Sequence, residues 1–165
     1  MVIGAGGGIG SAIARRLARA GAKVMLAGRD TERLAALGEE WGCRHAEVDA
    51  RSEDAVLACM QEAGEWGGRL DGVVNCAGSI LLKPAHLTTA DEFQEVIATN
   101  LTTAFATVKS ATKVMRQAGG SGGSIVLLSS AAAQIGLANH EAIAAAKAGG
   151  IGLTRSAAAT SAANG

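Results

Sequence analysis

The sequence predicts an α/β fold in which helices cover both faces of a parallel sheet, giving three layers. Short apolar runs alternate along the whole chain with segments whose apolar residues recur at helical spacing. Strands separated by helices pair in parallel, since the connecting helix returns the chain to the same end of the sheet. A length of 165 residues and an apolar fraction of 48% suit one domain, residues 1–165, with a substantial core.

Five strands can be assigned in chain order. They are the stub Val2-Ile3 and the runs 23–27, 44–48, 71–75 and 124–128. The first helix begins near Gly8, Asp30 and Ser52 cap the next two, and the last begins at about Asn139. Thr88 or Thr89 forms a capping box with Asp91 or Glu92 at the start of a long helix between the fourth and fifth strands.

The long helix is expected to bury a stripe of residues against the sheet. Apolar residues that recur at helical spacing place a set of mostly large side chains on one face of this helix. The predicted stripe is Phe93, Val96, Ile97, Leu101, Phe105, Val108, Thr112 and Met115.

A glycine-rich turn, residues 4–10, joins the first strand to the first helix. Gly4, Gly8 and Gly10 would allow positive φ, close approach of the backbone to a pyrophosphate, and tight packing of helix against strand. The unpaired N–H groups of the helix that follows would face the phosphates. A tight turn with no ligand has the same local pattern, so this turn alone leaves both interpretations open.

Composition excludes several classes of partner. There are 15 basic and 15 acidic residues and only 2% aromatics, whereas a nucleic-acid surface needs a basic stripe and stacking rings. The uncharged stretch 117–139 carries five Gly and four Ser, too polar for a membrane span. Cys43, Cys59 and Cys76 are odd in number and widely spaced, which predicts reduced thiols, a cytoplasmic location and no metal site.

Five motifs in a fixed order resemble those of the short-chain dehydrogenase/reductases over essentially the whole chain. Besides the glycine pattern they are Asn75-Cys76-Ala77-Gly78, Asn100, Ser129-Ser130 and Lys147. The resemblance implies a Rossmann-like, doubly wound sheet of strand order 3-2-1-4-5 that binds NAD(H) or NADP(H) at its switch point. Similar proteins continue past the helix that follows strand five, so a chain ending at Gly165 is expected to have a truncated fold and an open sheet edge at that strand.

The resemblance also implies a set of cofactor-binding residues. Gly4, Gly8, Ile9 and Gly10 would contact the pyrophosphate, Asp49 the adenine, Asn75, Ala77 and Gly78 the middle of the cofactor, and Lys147 the nicotinamide ribose. Asp49 on its own has an equally good interpretation as the cap of a loop.

The choice of cofactor depends on the end of the second strand, where the chain has Gly28-Arg29-Asp30. Arg29 matches the arginine of similar NADP-preferring proteins, and a guanidinium suits the 2′-phosphate. Asp30 would instead cap its helix, pair with Arg33, or bind the ribose of NAD as an acid. NADP(H) is therefore favoured over NAD(H).

The expected catalytic set is incomplete. The resemblance assigns substrate orientation to Ser130 and supporting roles to Asn100 and Lys147, but the catalytic tyrosine position, four residues before Lys147, is Ile143. The sequence contains no tyrosine. His140 lies three residues before Ile143 on the same helix face, and an imidazole is a common general acid or base, although a histidine at a helix start is the simpler interpretation. Water or the substrate would be the other proton sources.

Two hypotheses for function follow. The first is an NAD(P)-dependent oxidoreductase acting on a small carbonyl or alcohol, with impaired or atypical proton donation. The second is an inactive dinucleotide-binding pseudoenzyme or subunit whose role lies in association. In similar proteins the long helix and the last helix form the interface, so a homodimer or homotetramer is expected in either case.

Overall fold

Five parallel strands form a single sheet in the computed structural model, which describes residues 1–117 and 122–162. The strands are β1 (Val2–Ile3), β2 (Met25–Gly28), β3 (Arg44–Glu47), β4 (Gly72–Asn75) and β5 (Ser124–Leu127). Their order is β3-β2-β1-β4-β5, and every pairing is parallel. The predicted fold class and strand order are confirmed, with strand ends that differ from prediction by one or two residues.

Within the described part of the chain, six α-helices connect and follow these strands. They are α1 (Gly8–Arg19), α2 (Thr31–Trp41), α3 (Glu53–Gly67), α4 (Ala90–Ile97), α5 (Thr103–Gln117) and α6 (Glu141–Ser161). A π-helical segment, Ala98–Thr102, joins α4 to α5, so the predicted long helix is one continuous rod with a local change of pitch. Among the described residues, no helix is long and apolar enough to cross a lipid bilayer.

Three of the predicted helix starts have the expected caps. The Asp30 carboxylate accepts a hydrogen bond from the Arg33 N–H, at 3.0 Å. Ser52 accepts one from the backbone at the start of α3. Thr89, rather than Thr88, forms the capping box of α4 with Glu92. Each cap satisfies a backbone donor that the first turn of a helix leaves unpaired.

The predicted stripe of the long helix is wrong at its aromatic positions. Phe93 and Phe105 are exposed, Phe105 to 51%. The residues of α5 that pack inward are mostly small, including Thr103, Thr107 and Ser110. The π segment changes the phase of the helix before α5 begins, and small side chains let this helix approach the sheet closely, so size decides the buried face as much as polarity does.

The core lies on both faces of the sheet. Val2 and Ile3 alternate across β1 and enter different apolar clusters. The cluster around Ile3 includes Met60 of α3 and Val114 of α5, whereas the cluster around Val2 includes Leu34 of α2. Helices α3 and α5 therefore cover one face and α1 and α2 the other, the expected three layers.

Candidate functional site

The candidate site lies at the edge of the sheet where the parallel strands end. After β1 the chain moves outward to β2 and β3, then returns to place β4 on the other side of β1. The connections from β1 and β4 therefore leave in opposite directions, and a crevice opens between them at their carboxyl ends. In open α/β sheets this is the place where ligands bind.

Gly4 and Gly10 are required by the packing of the glycine turn. Gly4 has φ +73°, and a Cβ on it would lie 2.8 Å from the amide nitrogen of Ala77. A Cβ on Gly10 would lie 2.2 Å from the Gly4 carbonyl oxygen. These two glycines hold the start of α1 directly against the ends of β1 and β4.

Gly8 differs from its neighbours, because a Cβ there would meet no atom within 4 Å. It lies at the first residue of α1, beside Ile9, whose side chain is 62% exposed. The N-cap residue Gly7 offers no side-chain hydrogen bond, and the first turn contains no acidic residue. Helix α1 therefore presents unpaired N–H groups and its positive dipole end to open space, an arrangement that binds anions such as phosphates.

Arg33 is a site residue that the sequence interpretation did not assign to the cofactor. A Cβ on Gly6 would lie 3.6 Å from its Cδ, so the stem of this arginine runs alongside the glycine turn. The chain positions it there because the Asp30 cap fixes the first turn of α2. Its guanidinium adds positive charge next to the N-terminus of α1.

At the end of β3, Asp49 is held by Arg51. The carboxylate accepts hydrogen bonds from the Arg51 backbone N–H at 3.0 Å and from its Nε and Nη2, the latter at 2.9 Å. Arg51 also contacts Glu95 of α4 at 3.3 Å. The hydrogen bonds from Arg51, and to a smaller extent the charge of Arg29, lower the pKa of Asp49 to about 2. Sequence reasoning missed Arg51, whose partner on α4 is 44 positions away.

Asn75 ties the end of β4 to α5. Its Nδ2 donates to the Thr107 hydroxyl at 3.0 Å, and its Oδ1 accepts from the Ala77 N–H at 2.8 Å. Both side chains, Asn75 and Thr107, are buried. These contacts fix the path of the chain through residues 75–78, directly opposite the glycine turn.

Asn100 and Lys147 come together above Gly78. The Asn100 Oδ1 accepts a hydrogen bond from the Ser79 N–H at 3.2 Å, and its Nδ2 donates to the Val96 carbonyl at 3.0 Å. A Cβ on Gly78 would lie 3.0 Å from Asn100 Oδ1 and 3.6 Å from Lys147 Nζ. Gly78 therefore packs closely against both polar side chains, and a larger residue there would press on Asn100. Asn100 reaches the site because it lies in the π segment.

Lys147 is anchored to the end of β5. Its Nζ donates to the Leu128 carbonyl at 3.0 Å, and its own carbonyl accepts from the Ser129 hydroxyl at 3.2 Å. Partial burial of the ammonium lowers the pKa of Lys147, and the nearby Cys76 thiol opposes this effect slightly. Burial likewise raises the pKa of the Cys76 thiol.

A cavity of about 260 Å³ adjoins these groups. Its polar lining comes from residues at the ends of β4 and β5 and on the two long helices, namely Asn75, Asn100, Ser129, Lys147, Thr154 and Arg155.

Two predicted catalytic residues do not line this cavity. The Ser130 hydroxyl accepts a hydrogen bond from the Ala132 N–H at 3.2 Å and caps the short helix Ala131–Ala133. His140 is the N-cap residue of α6, with its Nδ1 2.7 Å from the Ala138 carbonyl oxygen. Their assigned roles stay predictions.

Ile143 is part of an apolar cluster. Its side chain is 4% exposed and packs among buried residues of α4 and α6, with Leu81 and Leu101 at the margin. The position one turn before Lys147 therefore offers no polar group to a substrate. No group of three or more potential metal ligands occurs within residues 1–117 and 122–162.

Comparison with known proteins identifies the family. The sequence profile described as Enoyl-(Acyl carrier protein) reductase matches residues 4–165. The chain belongs to the short-chain dehydrogenase/reductase family. This family consists of NAD(P)-dependent oxidoreductases, and the open, uncapped start of α1 fits the pyrophosphate of such a cofactor.

Several relatives are similar over most of this short-chain dehydrogenase/reductase. It is 38% identical to cis-4-hydroxycyclohexanecarboxylate dehydrogenase of Sinomonas cyclohexanicum, over 100% of this chain and 68% of that protein. It is 37% identical to the 3beta-hydroxysteroid dehydrogenase of Mediterraneibacter gnavus, over 94% of this chain and 57% of that protein. Senescence-associated protein 13 of Arabidopsis thaliana is 36% identical, over 80% of this chain and 51% of that protein.

A solved structure has the same fold. A short-chain type dehydrogenase/reductase from Mycobacterium ulcerans superposes with a TM-score of 0.93 at 30% identity, covering 99% of this chain and 62% of that one. The chain thus spans roughly half to two thirds of the length of these relatives.

Proposed function

We propose that this short-chain dehydrogenase/reductase transfers hydride between NADP(H) and a carbonyl or hydroxyl substrate. One observation carries the proposal: the open, uncapped start of α1 and the Asn100–Lys147 pair lie at the same sheet edge, on either side of the crevice between β1 and β4. A dinucleotide could then have its pyrophosphate at the glycine turn and its reactive ring near the lysine.

The proposed roles follow from this placement. When bound, the dinucleotide supplies the hydride. Gly4, Gly8, Ile9 and Gly10 would form the pyrophosphate turn, and Asp49 would contact the adenine, while Asn75, Ala77 and Gly78 would line the middle of the groove. Lys147 would hold the nicotinamide ribose, since two of its three N–H donors remain after the bond to Leu128.

The substrate would lie beyond Gly78. Asn100 would support it and Ser130 would orient its oxygen, next to Ser129 at the end of β5. The sequence has no tyrosine, so proton transfer requires another donor, of which His140 is one candidate.

A preference for NADP(H) is proposed from the charges near the adenosine end of the site. The Asp30 carboxylate is engaged in capping α2, which disfavours its use as a ribose-binding acid. Arg29 is exposed at the end of β2, and the stem of Arg33 lies alongside the glycine turn. Two guanidinium groups therefore flank the place where a 2′-phosphate would be expected.

Calorimetric titration of the full-length protein with NADPH and NADH tests this preference. Arg29→Ala is expected to weaken NADPH binding by about tenfold or more, since a hydrogen bond to a charged group contributes roughly 1.5–3 kcal/mol. Binding of NADH should change little. Arg19→Ala, at the far end of α1, is the matched control. Equal losses for both nucleotides, or none, would contradict the preference.

The substrate is proposed to be an alicyclic or steroid ketone or alcohol, by analogy with relatives named for cyclohexanecarboxylate and steroid substrates. Exposed apolar side chains on neighbouring loops support an apolar substrate, with Ile80 and Leu82 in one loop and Ile135 and Leu137 in the other. A backbone hydrogen bond of 2.9 Å from Lys83 to Asn139 joins these loops.

Turnover can be tested with a panel of cyclohexanones and 3-ketosteroids, following NADPH oxidation at 340 nm on the order of hours. Slow but measurable oxidation is expected. A folded protein that binds NADPH and turns over no member of this panel or of a wider carbonyl panel would contradict the enzymatic proposal.

The burial of Ile143 specifically favours a second candidate, a dinucleotide-binding pseudoenzyme. An apolar side chain fills the tyrosine position, and its neighbours enclose it. Ile143→Tyr would then create reductase activity in an otherwise complete site, with a gain of about 10²–10⁴-fold, the contribution of a positioned acid. Ile143→Phe adds the same ring without the hydroxyl and controls for bulk. No gain with tyrosine over phenylalanine would count against this candidate.

We also propose that the protein is a homodimer or homotetramer. The exposed Phe93 and Phe105 lie on the long helix, which is the interface helix in similar proteins. Phe105→Glu should lower the mass measured by sedimentation equilibrium if these aromatics are buried between subunits. An unchanged mass would exclude this face.

A further inference from the structure

We propose that Lys147 itself, in place of the missing phenol, delivers the proton to the substrate oxygen. This inference rests on the proposed oxidoreductase function. It gives one residue two tasks, binding the nicotinamide ribose and acting as the general acid of carbonyl reduction.

Ile143 leaves no room for another acid at the position it occupies. Its side chain is almost wholly buried among apolar residues of α4 and α6. Leu81 and Leu101 close the margin of that cluster. A proton must therefore reach the substrate from the polar side of the site, where Asn100 and Lys147 lie beside Gly78.

The other side chains around the site are poorer donors. His140 stands at the N-cap of α6 against the Ala138 carbonyl and does not line the cavity. Ser129 and Asn100 are not acids in the accessible pH range. Arg155 also lines the cavity, but a guanidinium does not release its proton in proteins.

Lys147 has the required geometry. Its Nζ donates one hydrogen bond to the Leu128 carbonyl at 3.0 Å, and Lys147 lines the cavity of about 260 Å³, so a substrate oxygen in that cavity is within reach directly or through one water. Two further N–H groups remain for the ribose and the substrate.

Burial of Lys147 favours proton release, and the nearby Cys76 thiol opposes this effect slightly. The titratable groups facing it are the Cys76 thiol after β4 and Arg155 on α6, and the described parts of β5, α4 and α5 contribute no carboxylate to the cavity lining. Burial lowers the pKa of the ammonium and so brings it closer to the working pH of a general acid.

The chemical step balances without another reactant. The bound dinucleotide would supply a hydride with its electron pair to the carbonyl carbon, and the π pair of the C=O bond would move to oxygen. One N–H bond of Lys147 would break, leaving its electron pair on nitrogen, as the new O–H bond forms. The neutral amine then takes a proton from solvent. In the oxidative direction the amine accepts the proton of the alcohol.

The first test measures the pKa of Lys147 directly. The full-length protein, labelled with ¹³Cε-lysine and bound to NADPH, is titrated by NMR, and Lys147→Arg identifies the Lys147 signal. Lys147 is expected to titrate below the four other lysines of the sequence, Lys23, Lys83, Lys109 and Lys113. A Lys147 that titrates together with them overturns the proposal, whether or not a substrate has been found.

The second test separates proton donation from ribose binding. Lys147→Arg keeps a cation with N–H donors but cannot release a proton, so NADPH binding should persist in calorimetry while kcat on a responsive ketone falls about 10²–10⁴-fold. Lys147→Arg with near-native kcat would reduce Lys147 to a cofactor ligand and overturn the proposal. Failure of the proposed function is distinguishable, since the unsubstituted protein then binds no NADPH or turns over no ketone of the panel.

Discussion

Gly8→Ala should separate cofactor binding from folding, because Gly8 faces open space whereas Gly4 and Gly10 face backbone. Nothing lies within 4 Å of a Cβ on Gly8, and its φ is not positive, so alanine fits the unliganded protein. Gly8 is the first residue of α1, and alanine is the better helix former of the two residues. The free energy of unfolding should therefore stay the same or rise.

The added methyl group would occupy the space that the pyrophosphate needs. Phosphate oxygens must come within about 2.7–3.2 Å of backbone nitrogens to accept their hydrogen bonds, and a Cβ at the mouth of the turn blocks that approach. Loss of one charge-assisted hydrogen bond, about 1.5–3 kcal/mol, weakens binding of NADPH roughly 10- to 150-fold.

Two measurements on one sample decide the outcome: urea unfolding gives the stability, and calorimetric titration gives the dissociation constant for NADPH. Gly152→Ala is the matched control, because Gly152 is also helical and also faces open space, but lies in α6. A Gly8→Ala protein that is folded and binds NADPH as tightly as the unsubstituted protein would refute the placement of the pyrophosphate at α1.

Three further predictions concern stability. Gly10→Ala should lower the free energy of unfolding, measured in urea, by about 1–3 kcal/mol or more, because the added Cβ would overlap the Gly4 carbonyl oxygen. A smaller loss would mean that the backbone of the glycine turn can shift to accommodate the methyl group. Thr107→Val should cost about 1–3 kcal/mol in the same assay, since it leaves the buried Asn75 amide without its partner, and Thr107→Ser should recover most of this loss. The folded-state pKa of Asp49 is lowered from 3.8 to about 2, so its pair with Arg51 stabilises the protein above pH 3.8 and this contribution disappears as the pH falls towards 2. Between about pH 5 and pH 2, the free energy of unfolding should therefore fall by a small amount, under about 1 kcal/mol because the pair is exposed. Arg51→Gln should reduce this fall. An identical pH profile of unfolding in that variant would contradict the role given to the Asp49–Arg51 pair.

Features that depend on near neighbours in the chain could be predicted from the sequence. The caps at Asp30 and Ser52 use residues three apart, and the glycine turn is defined by seven consecutive residues. Strands β1 and β2 could be found because they are short apolar runs, as is typical of strands buried on both faces of a parallel sheet. The sheet order and family came from the order of five motifs, a pattern that spans the chain.

Features set by distances between elements could not be predicted. The spacing of apolar residues predicted that Phe105 is buried. In the structure α5 lies close to the sheet, so the small Thr107 is buried there and the larger ring of Phe105 is exposed. The contact of Arg51 with Glu95 joins residues 44 positions apart, so it cannot be predicted from a local sequence pattern.

The sequence by itself determined that this chain has the glycine turn and the Lys147 motif that resemble those of its family, and that it contains no tyrosine. Only the tertiary structure decided that Ile143 is enclosed by apolar neighbours, that Ser129 rather than Ser130 lines the cavity, and that Lys147 and Asn100 line this cavity together. The physical reason is that residue types fix which chemistry is available, whereas burial and direction depend on which elements the fold brings within a few ångströms of each other.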